Sequence, residues 1–97
     1  MILWDHPPRC LSPHVLPARS HCEALTWHPP RGDTQVRVVR WTCDCDPLFY
    51  ELCQAGGVRF IRRTRRSRSD LTIDETDRRP AAEADAMWIA LLHGLVR

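Results

Sequence analysis

Three of the chain's five cysteines fall in one short stretch, WTCDCDPLFYELC, which begins at Trp41. Cys43 and Cys45 are one residue apart, and in an extended segment their side chains point the same way because strand side chains alternate. Thiolates and imidazoles are good zinc ligands. The candidate zinc ligands are therefore Cys43, Cys45 and Cys53, with Cys22 or His21 as the fourth.

The spacing of these cysteines leaves three interpretations open. Zinc modules typically present two C-x2–4-C pairs, whereas this chain has one C-x-C and no second pair. Reduced cysteines that fill a sheet edge and a helix face, with no cofactor, are the first interpretation. Bound zinc is the second. Thiol or redox chemistry at Cys45 is the third, because a helix starting at Pro47 would lower the pKa of a thiol at its N-terminus.

The stretch VRFIRRTRRSR is the second feature that could do chemistry. It holds six arginines and no acidic residue. A basic hairpin can lie along a phosphate backbone, because guanidinium groups bind phosphate and carboxylate bidentately. The candidate residues for binding nucleic acid or an acidic partner are Arg59, Arg62, Arg63, Arg65, Arg66 and Arg68.

Acidic residues on the following segment oppose this positive charge. Asp70, Asp74, Glu75 and Asp77 lie where a strand is predicted to pair with the arginine strand. Each cross-strand ion pair would stabilise the sheet by about 0.2–1 kcal/mol. Three interpretations of the arginines stay open: a solvated, self-paired hairpin, a contact with nucleic acid, and a contact with an acidic protein surface.

The first third of the chain has a composition of its own. Residues 1–34 hold six of the eight prolines and four of the five histidines. Proline removes backbone donors and fixes φ, so this segment is predicted to be irregular or disordered, with ordinary solvated histidines. A small α+β domain is expected over residues 35–97. An alternative is that the natural protein itself begins near Thr34 or Val36.

Regular elements are predicted from Gln35 onward. QVRVVRWTC is rich in β-branched and aromatic residues and predicts a strand. Asp-Pro at 46–47 predicts a helix start, the spacing of Leu48 and Leu52 predicts one apolar helix side, and the glycines at 56–57 would end this helix. VRFIRRT and DLTIDET then predict two strands joined by a polar hairpin.

A longer helix, PAAEADAMWIALLHGLV, is predicted from Pro80. Its apolar stripe is about 100° wide, as expected of a helix packed on a sheet. The predicted order is β-α-β-β-α. The predicted fold class is α+β, a three-stranded, mainly antiparallel sheet with helices on one face, preceded by an irregular Pro/His-rich N-terminal segment. The stripe consists of Ala81, Ala84, Trp88, Leu91, Leu92 and Leu95.

The stretch CDCDPLFYELCQAGGVRFIRRT, followed by ET and AAEADAMWIALLHG, resembles a set of small proteins from high-GC Gram-positive bacteria. The resemblance covers roughly residues 36–95. It implies domain limits that leave out the Pro/His-rich start. It implies no activity, cofactor or site residue.

Charge and composition bound the function. The formal net charge is +2, and every basic side chain is arginine. No apolar run reaches the roughly 18 residues that cross a bilayer, and no signal-peptide pattern is present, so a cytoplasmic location without a membrane partner is expected. The sequence contains no Gly-rich phosphate loop, nucleophile elbow or HExxH motif, so we expect that the protein is not an enzyme.

We therefore expect a small non-enzymatic binding or regulatory module whose arginine-rich hairpin contacts nucleic acid. The alternative is a protein-interaction or assembly module, a homodimer or heteromeric partner, with an apolar patch formed by Val36, Val38 or Trp41. A zinc-stabilised domain is the third hypothesis.

Overall fold

The structure, a computed structural model, describes residues 12–32 and 34–97. Within them, five strands and one helix follow one another along the chain. The predicted α+β class and the antiparallel sheet are confirmed. The strands are β1 (Arg37–Trp41), β2 (Leu48–Ala55), β3 (Val58–Arg66), β4 (Leu71–Glu75) and β5 (Arg79–Pro80), and the helix is α1 (Ala81–Leu92).

The sheet is an antiparallel meander in the order β1-β2-β3-β4, and the short β5 pairs with the start of β3. The β2–β3 hairpin is in continuous register from Leu48 opposite Arg65 to Ala55 opposite Val58. Its loop consists of two glycines, and Gly56 has a φ of +64°. A positive φ at the first loop position is the pattern of a type II′ turn, which matches the twist of the flanking strands.

The helix predicted over residues 47–55 is wrong, because this segment is strand β2. The spacing of four between Leu48 and Leu52 fits a helix face, but it fits a strand face equally well. Tyr50 lies between them and is buried on the same side, which shows the period of two. Phe49 and Cys53 then face the other side, so β2 is apolar on both faces. The two glycines form a hairpin loop and do not end a helix.

The predicted element count is also wrong. The sheet has four main strands and a short fifth, rather than three strands, and α1 is the one helix in the described part of the chain. The helix ends at Leu92, earlier than predicted, because Gly94 has a φ of +78° and turns the chain. Leu95, predicted on the buried stripe, is 46% exposed. No helix among the described residues is long and apolar enough to cross a bilayer.

The core lies between α1 and one face of the sheet. Tyr50, Leu52 and Ile61 from β2 and β3 pack against Trp88 and Leu91 of the helix. Each large apolar side chain buried here contributes about 1.5–3 kcal/mol. The helix and the two central strands therefore supply the hydrophobic core.

Residues 12–32 contain no helix or strand apart from two isolated bridges. Their backbone nevertheless bonds to the end of the chain: the Leu16 amide donates to the Leu92 carbonyl oxygen at 2.9 Å, and the Arg19 amide donates to that of Gly94 at 2.8 Å. The Glu23 amide donates to Leu95 in the same way. The division into 1–34 and 35–97 stays a prediction, and residues 1–11 lie outside the described residues.

Candidate nucleic-acid interface

The sheet face opposite α1 holds several of the residues singled out in the sequence. The register places Trp41, Glu51 and Arg62 in one row across β1, β2 and β3. Side chains two or four residues along a strand share its face, so residues of β2, β3 and β4 extend this row toward the β3–β4 loop. We call this surface the open face; it consists of Trp41, Phe49, Glu51, Arg62, Arg66 and Leu71.

The open face is apolar at both edges. Trp41 on β1 is 53% exposed and Leu71 on β4 is 61% exposed, while Phe49 between them is half-buried. The opposite end of the same sheet face is covered, because Arg78 lies 3.8 Å from the ring centroid of Phe60, which is fully buried. Solvent therefore reaches the end of this face that lies toward the β3–β4 loop.

Half of the six candidate arginines are held in ion pairs among the described residues. The sequence predicted pairing with the following strand, and Arg63 has such a partner on β4. The other two find their carboxylates on β2 and on α1. The pairs are Arg63–Asp74 at 2.9 Å, Arg62–Glu51 at 2.8 Å and Arg59–Asp85 at 2.8 Å.

The Arg62–Glu51 pair lies on the open face and reduces the positive charge there. Burial alone would lower the pKa of Arg62, but its hydrogen bond to Glu51 raises that pKa above its ordinary value. The guanidinium therefore stays charged and its charge is compensated locally by Glu51. Arg62 therefore adds little net positive charge to the open face.

The other three arginines, Arg65, Arg66 and Arg68, differ, and we call them the tip arginines. Within residues 12–32 and 34–97, none of them pairs with a carboxylate. The guanidinium of Arg66 lies 5.2 Å from the ring centroid of Phe49 and donates to the carbonyl oxygens of Asp44 at 2.6 Å and Asp46 at 3.3 Å. Arg65 and Arg68 are exposed. The positive charge that no carboxylate neutralises is therefore concentrated at the loop end of the β3–β4 hairpin.

The predicted cysteine ligands lie in different places. Cys43 and Cys45 are in the connection 42–47 between β1 and β2, while Cys53 is fully buried in β2 and Cys22 belongs to the N-terminal segment. Burial raises the pKa of the Cys53 thiol to about 11, so it stays protonated at neutral pH. The argument that a helix dipole activates Cys45 is wrong, because no helix begins at Pro47.

His14 joins Cys43 and Cys45, although its position in the sequence gave no sign of this. One ligand atom from each of the three residues lies within 4.8 Å of the other two. The backbone explains the approach, because the Cys43 amide donates to the Pro13 carbonyl oxygen at 2.8 Å. Cys22, Cys53 and His21 do not belong to this group.

A cavity of about 330 Å³ lies at the β1 edge of the open face. Trp41, Phe49 and Cys43 line it, together with the two acidic residues Asp44 and Glu51. The two aromatic rings of the open face can stack a planar group, and Arg66, which lies over Phe49, can bind an anion attached to it.

Comparison with known proteins assigns no family to the chain. No family model and no curated protein matches its sequence, and no solved structure matches its fold. A function for this protein therefore rests on the open face, the tip arginines and the residues around them.

Proposed function

We propose that this protein is a non-enzymatic module that binds single-stranded nucleic acid, with bases on the open face and phosphates at the tip arginines. The observation that carries the proposal is the position of Arg66, which lies over Phe49 and next to exposed Leu71 with no carboxylate partner. One end of the sheet thus combines apolar rings with uncompensated guanidinium groups. This is the combination that single strands bind.

The phosphate contribution comes from the tip arginines. Arg65, Arg66 and Arg68 occupy the end of β3 and the loop after it, where Asp70 is the one nearby acidic residue of the loop. Arg65, on the α1 side of β3, and Arg68, in the loop, are exposed and offer their charge to phosphate oxygens. Arg66 adds positive charge on the open face, where its guanidinium also donates to the carbonyl oxygens of Asp44 and Asp46. Arg59, Arg62 and Arg63 already neutralise carboxylates. Guanidinium groups bind phosphate bidentately, and each contact releases counterions from the nucleic acid.

The base contribution comes from Trp41 and Phe49. Stacking of a base on an aromatic side chain is worth about 1–3 kcal/mol. Three spacings between four neighbouring strands, and the four residue steps from Arg62 to Arg66, give the open face sides of about 14 Å and 13 Å. Other four-stranded sheets stack two or three bases on faces of this size. Paired bases in a duplex cannot reach such a surface, so we expect a preference for single strands.

The first test removes the tip arginines. We expect Arg65→Gln, Arg66→Gln and Arg68→Gln, combined in one variant, to weaken binding of a fluorescent oligothymidine or oligouridine at low salt. The slope of log K against log salt should become shallower by about 0.7 for each phosphate contact that is lost. Fluorescence anisotropy over a salt series measures both quantities.

A matched control changes the same charge elsewhere. Arg31, Arg37 and Arg40 are exposed and lie away from the β3–β4 loop, so their combined Gln variant should retain most of the wild-type slope. Equal slopes for the two triple variants would show that only net charge matters, which contradicts the proposal. Tighter binding to a duplex of the same length would also contradict it.

Assembly is the second candidate function, and the exposed edges of the open face favour it. Trp41 and Leu71 leave apolar surface at β1 and β4, and a second copy of the chain could cover both. Val38 is half-buried and extends this surface along β1, as does Val36 just before the strand. Sedimentation velocity over a concentration series separates the two functions, because a stable homodimer formed through the open face would exclude nucleic acid from it.

A further inference from the structure

The connection between β1 and β2 brings three metal-binding side chains together. The Nε2 atom of His14 lies 3.5 Å from the Sγ atom of Cys45, and the thiol of Cys43 completes a group whose ligand atoms lie within 4.8 Å of one another. The sequence separation between His14 and Cys45 is 31 residues, so the fold itself creates the group. Two of its members are exposed and Cys43 is half-buried, so ions from solution can reach it.

These separations fit a bound zinc ion. Zn–S bonds of about 2.3 Å and Zn–N bonds of about 2.0–2.1 Å at tetrahedral angles put sulfur and nitrogen ligands about 3.6 Å apart and two sulfurs about 3.8 Å apart. The observed distance between His14 and Cys45 is 3.5 Å. The separation of His14 and Cys45 already fits zinc, and the separations that involve Cys43 are no greater than 4.8 Å.

Asp46 supplies an independent observation. The other imidazole nitrogen of His14, Nδ1, lies 3.2 Å from the Oδ2 atom of Asp46. A proton on Nδ1 that is donated to this carboxylate leaves the lone pair of Nε2 directed at Cys45. A carboxylate that bonds the far nitrogen of a metal-binding histidine is a recurrent feature of zinc sites, since it fixes the tautomer and the ring orientation.

We propose that His14, Cys43 and Cys45 bind a zinc ion, with Asp46 as a positioning residue. Binding releases the two thiol protons, because the ligands are thiolates. The ligand set differs from the one predicted from the sequence, which contained Cys53 and Cys22 and lacked His14. The zinc proposal does not rest on nucleic-acid binding, but the two regions adjoin, because Arg66 bonds to the backbone on either side of Cys45.

The surrounding backbone holds the ligands in place before metal arrives. The amide of Cys43 is bonded to Pro13, next to His14, and Arg66 donates to the carbonyl oxygens of Asp44 and Asp46 on either side of Cys45. Zinc would therefore fasten the N-terminal segment to the β1–β2 connection. Because both contacts exist without the ion, we expect the fold to persist when metal is removed.

Cobalt substitution tests the site directly. The full chain, reduced with a phosphine and stripped with a chelator, is titrated with Co²⁺. We expect a thiolate-to-cobalt charge-transfer band and the intense visible bands of tetrahedral cobalt, which saturate at one ion per chain. Added Zn²⁺ should abolish them, since zinc binds such ligands more tightly than cobalt.

Variants assign the ligands. His14→Ala, Cys43→Ser and Cys45→Ser should each weaken cobalt binding and reduce the bands, whereas Cys22→Ser should match the wild type. Asp46→Asn should keep the bands but weaken metal binding about 10–100-fold, as loss of a ligand-orienting carboxylate does. Asp70→Asn, which changes an exposed carboxylate in the β3–β4 loop, should leave affinity unchanged.

A second measurement needs no variant. Zinc should protect Cys43 and Cys45 of the wild-type chain from alkylation, as read by peptide mass mapping, while Cys22 reacts at the same rate with and without the ion. Wild-type protein without cobalt bands, or bands that persist in both Cys43→Ser and Cys45→Ser, would overturn the proposal. Equal alkylation of Cys43 and Cys45 with and without zinc would do the same.

Discussion

At the scale of single residues, burial decides which thiol can react. Cys53 is fully buried between β1 and β3 on the sheet, whereas Cys45 is exposed in a loop. Burial raises the pKa of Cys53 to about 11, and it also raises the pKa of Tyr50 above its ordinary value. Both groups hold their protons more tightly in the folded protein than in the unfolded chain.

The alkaline stability of the protein follows from this difference. A group with a raised folded-state pKa stabilises the fold fully below its unfolded pKa and loses that effect as the pH rises through its folded pKa. The free energy of unfolding should therefore fall between pH 9.0 and about 11. Urea unfolding over this range should show a smaller fall for Cys53→Ala than for the wild type, although the variant is less stable at neutral pH. Parallel pH profiles for the two proteins would contradict this account.

Residue types predicted part of the candidate site. The six clustered arginines are visible in the sequence, but which of them are neutralised depends on partners such as Asp85 of α1 and Glu51 of β2, which only the folded structure identifies. His14 could not be identified in advance, because it meets Cys45 through a loop contact 31 residues away. The C-x-C motif was the one local signal of this group.

At the scale of elements, the period of the apolar pattern decides between helix and strand. The β-branched and aromatic residues of β1 and β3 indicate strands, and the apolar stripe of α1 indicates a helix, so these three elements were predictable. In β2 the apolar residues lie on both faces, so a spacing of four was consistent with either structure. The two-glycine loop and the adjoining arginine strand favour a hairpin, which would have resolved the ambiguity.

Gly94 provides a test of how the N-terminal segment packs against the end of α1. Its φ is +78°, and a Cβ added there would collide with the carbonyl oxygen of Pro17. A left-handed conformation costs a residue with a Cβ about 1–2 kcal/mol, and displacement of Pro17 should break neighbouring backbone bonds as well. We expect Gly94→Ala to lower the free energy of unfolding by more than 2 kcal/mol, as measured by urea denaturation.

Gly56 is the matched control for this substitution. It also has a positive φ, of +64°, but no atom lies within 4 Å of the position of an added Cβ. Gly56→Ala should therefore cost only the conformational term of about 1–2 kcal/mol. Equal destabilisation by the two substitutions would mean that residues 16–19 do not pack against the end of the helix in solution.

At the scale of the whole molecule, the sheet separates two kinds of surface. One face is covered by α1, and the N-terminal segment bonds to the end of that helix and to the edge of β4 at His28. The end of the other face near the β3–β4 loop is open. The sequence predicted the α+β class but not the packing of the N-terminal segment against the end of the chain. The backbone bonds from residues 16–25 to residues 92–97 join distant parts of the chain and leave no local pattern.

The proposed function assigns single-stranded nucleic acid to the open face. Where on the protein the nucleic acid binds can be measured. Amide chemical shifts of the wild-type protein, followed by NMR during titration with an oligouridine at low salt, report which residues contact the strand. We predict the largest changes at Trp41, at Phe49 and over residues 64–71, with little change along Ala81–Leu92 of α1. Changes centred on α1, or no changes at low salt, would contradict the assignment of the open face as a nucleic-acid interface.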